Sequence, residues 1–240
     1  MLCVHDVEGW MSFDQAERLY RVAAGAPAGG TIVEIGSFRG RSTIVLGSAA
    51  PVDVAIIAID PHAGNDRGPG EYNGFERAAA TDHDVFKANI AAAGLTSRVR
   101  HVRAFSSDAH HEVPGDLSVL YIDGAHRYSP ARTDIREWGR RVAPGGTMLI
   151  HDSFSSVGVT FAIMRELMLG RTFRFVGRSR SLAEYRADLR PTTGGRAANA
   201  FRQLLQLGWF SKNLLIKVLL SLKLGKVLHK ATGRQPEWPY

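Results

Sequence analysis

The run Thr31–Thr43, Thr-Ile-Val-Glu-Ile-Gly-Ser-Phe-Arg-Gly-Arg-Ser-Thr, constrains this chain more than any other stretch. An apolar β-type run leads into Gly36, and a helix begins around Gly40-Arg41-Ser42. A strand, a glycine turn and a helix start let backbone come close to a small ligand. A second apolar strand, Val54–Ile59, ends in Asp60, where a carboxylate can hold ribose hydroxyls of a βαβ nucleotide site. The plain alternative is a strand, a tight turn and a surface aspartate of any α/β protein. Glu34, an acidic residue inside the first strand, is what that alternative leaves unexplained.

A dinucleotide fingerprint needs Gly-x-Gly-x-x-Gly, whereas only Gly36 and Gly40 are present and Phe38 takes the place of the second glycine. Glu34 would repel a pyrophosphate and suit a ligand carrying positive charge. The pattern resembles motif I of the class I S-adenosylmethionine-dependent methyltransferases. In that family the acidic residue lies near the cationic methionine end and the glycines line the floor. An NAD(P)-dependent oxidoreductase of a sugar substrate is the competing enzyme reading, and a non-catalytic adaptor that kept the fold is a third.

The rest of the chain alternates in the way an open sheet requires. Strand-like runs at Val99–Ala104, Leu117–Ile122 and Thr147–Ile150 are separated by helical stretches at Phe75–Ala93 and Ser129–Val142. A helix over Val157–Leu169 leads to Phe173–Val176 and Ser181–Arg186, an antiparallel pair. Ahead of the first strand, Ser12 and Gln15 have capping-box spacing, and Trp10 and Met11 precede them, placed either to pack onto that helix, the favoured reading, or to line the cofactor mouth. The expected fold class is α/β: a doubly wound, mostly parallel Rossmann-like sheet with a C-terminal helical appendage. Pro61–Gly74, rich in glycine and proline, reads equally as a lid or substrate-binding segment and as a disordered loop.

Such sheets place their chemistry at the carboxyl ends of the strands. Asp60, Ser107, Asp108, Asp123, His126, His151 and Asp152 all fall there. Asp123-Gly-Ala-His126, followed 28 residues after Asp123 by His151-Asp152, is similar to the metal-dependent sugar O-methyltransferases of macrolide biosynthesis. It also resembles cephalosporin-pathway, rhamnosyl and mycobacterial-type methylmannose polysaccharide methyltransferases. The resemblance covers roughly Asp6 to Arg186.

It implies S-adenosyl-L-methionine as donor, held by Glu34, Gly36, Ser37, Gly40, Ser42, Asp60, Ser107, Asp108 and Asp123. It also implies a divalent metal, Mg²⁺ or Mn²⁺, on Asp123 and Asp152, and His126 as general base with His151 the second candidate. The acceptor would be a hydroxyl of a saccharide or glycosylated natural product. One position departs from the pattern: His151 stands where those enzymes carry a second acidic ligand. An imidazole there could ligate a softer metal, hydrogen-bond the substrate, or do neither.

Charge separates the chain into two parts. Net charge is +7 overall, yet residues 189–240 hold nine Lys/Arg and one acidic group, so the first 188 residues are close to neutral. Nucleic acid is therefore not implied for the main site. One cysteine excludes an internal disulfide framework, and no uncharged run reaches the roughly 18 apolar residues a spanning helix needs. The expected location is cytoplasmic. The expected division is a methyltransferase domain over 1–190, a linker over 191–196 and a basic, leucine-rich helical tail over 197–240. That tail suits a peripheral membrane contact, self-association or docking on its own domain. Protein docking is favoured because Leu220 and Leu224 lie opposite its main apolar face.

Overall fold

The computed structural model describes residues 4, 6–64, 76–187 and 192–222. Five parallel strands, β1 (Thr31–Ile35), β2 (Ala55–Ile59), β3 (Val99–Val102), β4 (Leu117–Ile122) and β5 (Val142–Ile150), are followed by β6 (Phe173–Ser179) and β7 (Leu182–Ala187). The sheet order is β3-β2-β1-β4-β5-β7-β6, with β7 antiparallel to both of its neighbours. The strand order reverses beside β1, between β2 and β4, which is where an open α/β sheet forms its binding crevice. The inner strands are covered on both faces, so they are near-continuous apolar runs rather than alternating ones.

Two cores flank the sheet. Val33, Ile35, Ile57, Ile59, Leu120 and Ile122 turn to a face covered by α4 (Tyr128–Glu137) and α5 (Val157–Ile163), where Trp138 is fully buried. Ile32, Ile56, Ala58, Val119 and Tyr121 turn to the other face. That face is covered by α1 (Phe13–Ala24), α2 (Arg41–Ala49) and α3 (Glu76–Ala92). The parity of β1 thus sends Glu34, between Val33 and Ile35, towards α2. α1 opens with the expected capping box, the Ser12 backbone N–H donating to Gln15 Oε1 at 2.8 Å. Its other end of contact is the hairpin, through Gln15 to Ser181 and Arg18 to Ser179 and Glu184.

Three local expectations are corrected. β5 begins at Val142 and not at Thr147, because Pro144-Gly145-Gly146 lies inside the strand, at a register irregularity against β4. The helix after Ser156 changes to a π turn over Met164–Met168 instead of continuing as α-helix to Leu169. Thr193–Arg196, expected in the linker, form the start of α6 (Thr193–Leu204), because the Thr192 hydroxyl caps it by accepting the Gly195 N–H at 3.0 Å. A further helix, α7 (Gln206–Ser221), follows. Most of the expected lid, part of the linker and tail residues 223–240 lie outside the described residues.

Candidate active site

The carboxyl ends of β1, β2 and β4 open into a cleft of about 500 Å³, a size suited to a nucleoside-type ligand. Its floor is Gly36, with φ of +87°. A Cβ there would stand 2.3 Å from the carbonyl oxygen of Asp123, so only glycine lets β1 and β4 meet this closely. Phe38, also at positive φ, tilts its ring against Trp10 with centroids 5.4 Å apart. Both rings line the cleft. Trp10 is therefore part of the mouth, the less favoured of its two expected placements. Phe38 fills the space a dinucleotide fingerprint leaves open, which argues against pyrophosphate.

Asp60 forms the β2 side. Its two oxygens accept the backbone N–H groups of Phe38 and His62, each at 2.7 Å, which fixes the carboxylate at the cleft wall. Burial raises its pKa, and those two N–H donors work against the rise. On the β3 side the wall is Phe105, Ser106 and Ser107. Asp108, one residue further and expected among the donor contacts, is exposed and does not line the cleft. Ser106 donates to the buried Asp134 of α4 at 2.6 Å. Burial pushes Asp134 up to about 6, with the Ser106 hydrogen bond opposing it. Asp134 lines the cleft and was missed from sequence, where it looks like one polar position on an amphipathic helix.

Four other expected donor contacts lie behind the wall. Glu34 is completely buried and accepts hydrogen bonds from Ser42 and Thr43 in the first turn of α2. Burial lifts its pKa to about 8. Glu34 and Ser42 thus tie β1 to α2 and do not line the cleft, a correction that follows from strand parity. Gly40 is the αL N-cap of α2 and faces Phe86 and Ile90. Ser37 is buried beside the floor, its Oγ without a protein partner among the described residues.

The β4 and β5 ends carry the second half of the site. Asp123 Oδ2 accepts the Tyr121 hydroxyl at 2.8 Å, and its Oδ1 lies 3.1 Å from His151 Nδ1. Asp152, with φ of +53°, places its Oδ2 2.5 Å from His126 Nε2 and 3.7 Å from His151 Nδ1. These four residues form one chain: Asp123, His151, Asp152, His126. Burial by itself would lower both imidazole pKa values. The neighbouring carboxylates outweigh it, raising His126 above its ordinary value and His151 far above. Asp152 shows the reverse: burial favours its neutral form, but His151 and His126 hold it well below the carboxylate range.

This arrangement does not fit the metal set implied by resemblance. His151 Nδ1 occupies the space between the two carboxylates, where a bridging cation would have to stand. Among the described residues no group of three or more His, Cys, Asp or Glu is placed to hold a metal ion. The physical reason is the departure noted in sequence, an imidazole in place of an acidic ligand.

His126 lines the donor cleft itself, beside Asp123, Gly124 and Ala125. α5 presses against its backbone: a Cβ on Gly158 would come within 2.2 Å of the His126 carbonyl oxygen. With Nε2 engaged by Asp152, Nδ1 has no protein partner among the described residues.

The chain resembles known proteins in sequence and in fold. A family described as a methyltransferase domain matches residues 33–153, just over half of the chain. Among solved structures, the O-methyltransferase NovP superposes with a TM-score of 0.59 at 18% identity, covering 74% of this chain and 81% of that one. Cofactor-bound Rv0187 from MTB gives 0.56 at 17%, covering 78% and 84%. The O-methyltransferase TomG from Streptomyces achromogenes, in complex with SAM, gives 0.51 at 18%, covering 75% and 82%. At these identities the structures speak for the fold, while the family match spans the strand ends from β1 to Ser153. The chain belongs to the methyltransferase domain family and has the class I S-adenosylmethionine-dependent methyltransferase fold.

Proposed function

We propose that this protein transfers a methyl group from S-adenosylmethionine to a hydroxyl oxygen, with His126 as general base. The observation that carries the reading is the His126–Asp152 pair at the lip of the donor cleft. The donor supplies an electrophilic methyl on its sulfonium, so the protein's tasks are alignment and removal of one proton. Asp60 would take the ribose hydroxyls, and Phe105, Ser106, Ser107 and Asp134 the base end. Gly36 and Asp123 would border the methionine end, the carboxylate complementing positive charge.

A hydroxyl is a poor nucleophile while it holds its proton. Asp152 orients the His126 ring by accepting from Nε2, which leaves Nδ1 as the basic atom. His151, between Asp123 and Asp152, supplies the positive charge that keeps two carboxylates together at the acceptor side. A saccharide or glycosylated acceptor suits the polar wall of Asp123, Arg127, Ser129 and Thr133. The O-methyltransferase names of NovP and TomG point to the same oxygen chemistry.

The test is methyl transfer from labelled S-adenosylmethionine to a panel of glycosides and their aglycones, run with and without EDTA. Methyl-ether formation from the glycosides, unchanged by EDTA, is expected. Activity lost in EDTA and restored by Mg²⁺ or Mn²⁺ would bring back the metal mechanism. Transfer only to amines would remove the hydroxyl assignment.

A further inference from the structure

The helices after the hairpin bury polar side chains and leave several large apolar ones exposed. Their inward contacts are largely polar. Asn199 accepts the Phe175 N–H at 2.7 Å and donates to the Phe173 carbonyl at 3.2 Å. Gln203 Oε1 accepts the Tyr185 hydroxyl at 3.2 Å. Asn213 donates to the Phe154 carbonyl at 3.4 Å, and Lys217 to the carbonyl and hydroxyl of Ser155, each at 3.0 Å. Asn199, Gln203 and Asn213 are the buried residues of α6 and α7. Half-buried Leu207, Trp209 and Phe210 add apolar packing at the junction.

The opposite side carries the large apolar groups. Phe201, Leu205, Leu215 and Leu222 are each about three-fifths exposed, and Leu214 and Val218 more than a third. Leu214, Leu215, Val218 and Leu222 fall within one 100° sector of α7. A contiguous apolar stripe of this kind marks an interaction surface rather than scattered exposure.

Charge decides the occupant. Residues 192–222 contain no Asp or Glu, and exposed Arg202 and Lys212 flank the stripe. Over 189–240 the balance is nine Lys/Arg to one acid. A second copy would bring two such basic segments face to face, which opposes association. An anionic surface would be attracted by the same charges. No described helix is long and apolar enough to cross a membrane, and an apolar stripe flanked by cations suits a helix lying in the interface plane.

We propose that α6 and α7 form a docking surface for an anionic phospholipid bilayer, the apolar stripe entering the headgroup boundary and the flanking cations meeting lipid phosphates. The surface is independent of the chemistry assigned to His126.

Flotation of the full chain with vesicles of phosphatidylcholine alone, or with 30% phosphatidylglycerol, tests it. Binding should be at least ten-fold tighter to the anionic vesicles and weaken as salt is raised. Leu215→Asp with Val218→Asp should reduce it ten-fold or more, with circular dichroism and donor binding unchanged. Should that variant misfold, Arg202→Glu with Lys212→Glu, both exposed, gives the same expected loss. Failure of the full chain to bind anionic vesicles overturns the proposal, as does binding that survives both variants. A dimer in sedimentation that Leu215→Asp/Val218→Asp dissolves, without vesicle binding, would assign the stripe to a second copy.

Discussion

The two halves of the cleft solve the same electrostatic problem differently. At the β1 and β2 ends, Asp60 is satisfied by two backbone N–H groups and Glu34 by two hydroxyls. Backbone amides and hydroxyls do not titrate near neutrality. At the β4 and β5 ends, Asp123 and Asp152 are satisfied by His151 and His126, which do. A half that grips a donor needs fixed polarity. A half that activates an acceptor must accept a proton and give it up again. The division predicts that pH should act on turnover through the β4–β5 half, and on stability alone, through Glu34, at the β1–β2 half.

The largest effect that can break this comparison is on the base. His126→Ala should lower the methyl-transfer rate by about 10²–10⁴-fold, the usual worth of a general base, while donor affinity stays near wild type. The base form of His126 must be unprotonated, so rate rises with pH through its raised pKa. Asp152 is what raises it, despite burial. Asp152→Asn should therefore lower the plateau and move the rising limb of the pH–rate profile towards acid. A limb that stays in place would assign the titration to another group, and a donor affinity that collapses would show the two halves are not separable.

What was legible in the sequence follows the range of the interactions. Strand ends are local, so Asp60, Asp123, His126, His151 and Asp152 were placed on the right edge of the sheet by counting apolar runs. The capping box at Ser12 and Gln15 spans four residues and is equally visible. Glu34 was assigned to the donor because its face depends on which helix covers β1, a tertiary fact. Asp134 joins the cleft only because Ser106, 28 residues earlier, turns towards α4. The Pro-Gly-Gly run carries turn chemistry, yet pairing with β4 on either side keeps it within β5. The apolar side of α7 was visible, but its polar anchorage at Asn213 was not.

A smaller effect sharpens the donor half. Asp60→Asn keeps one acceptor oxygen for the backbone turn and loses the charge offered to ribose hydroxyls. Affinity for S-adenosylhomocysteine by calorimetry should fall about ten-fold, the scale of one charged hydrogen bond. The pH–rate profile should keep its shape, because Asp60 lies in the half that does not move protons. Unchanged affinity together with lost thermal stability would make Asp60 a support for the Phe38–His62 turn alone.

The effect with the least bearing on rate concerns Glu34, behind the donor floor, and it should appear in stability. Burial lifts its folded pKa from an ordinary 4.5 to about 8. Below pH 4.5 the carboxyl is protonated in both folded and unfolded chains. Between 4.5 and 8 the folded protein holds a proton that the unfolded chain has released. Stability contributed by this group is thus fully present in acid and is lost as pH rises through about 8, with a slope of at most about 1.4 kcal/mol per pH unit. Glu34→Gln retains an acceptor for Ser42, and its amide can donate to the Thr43 hydroxyl. The variant should match wild type near pH 5 and exceed it near pH 8 in denaturant unfolding, with turnover little changed. A variant whose stability falls with pH as steeply as wild type would show that Glu34 is ionised in its buried site. The positive charge needed to hold it there would then have to come from the cleft, returning Glu34 to the donor.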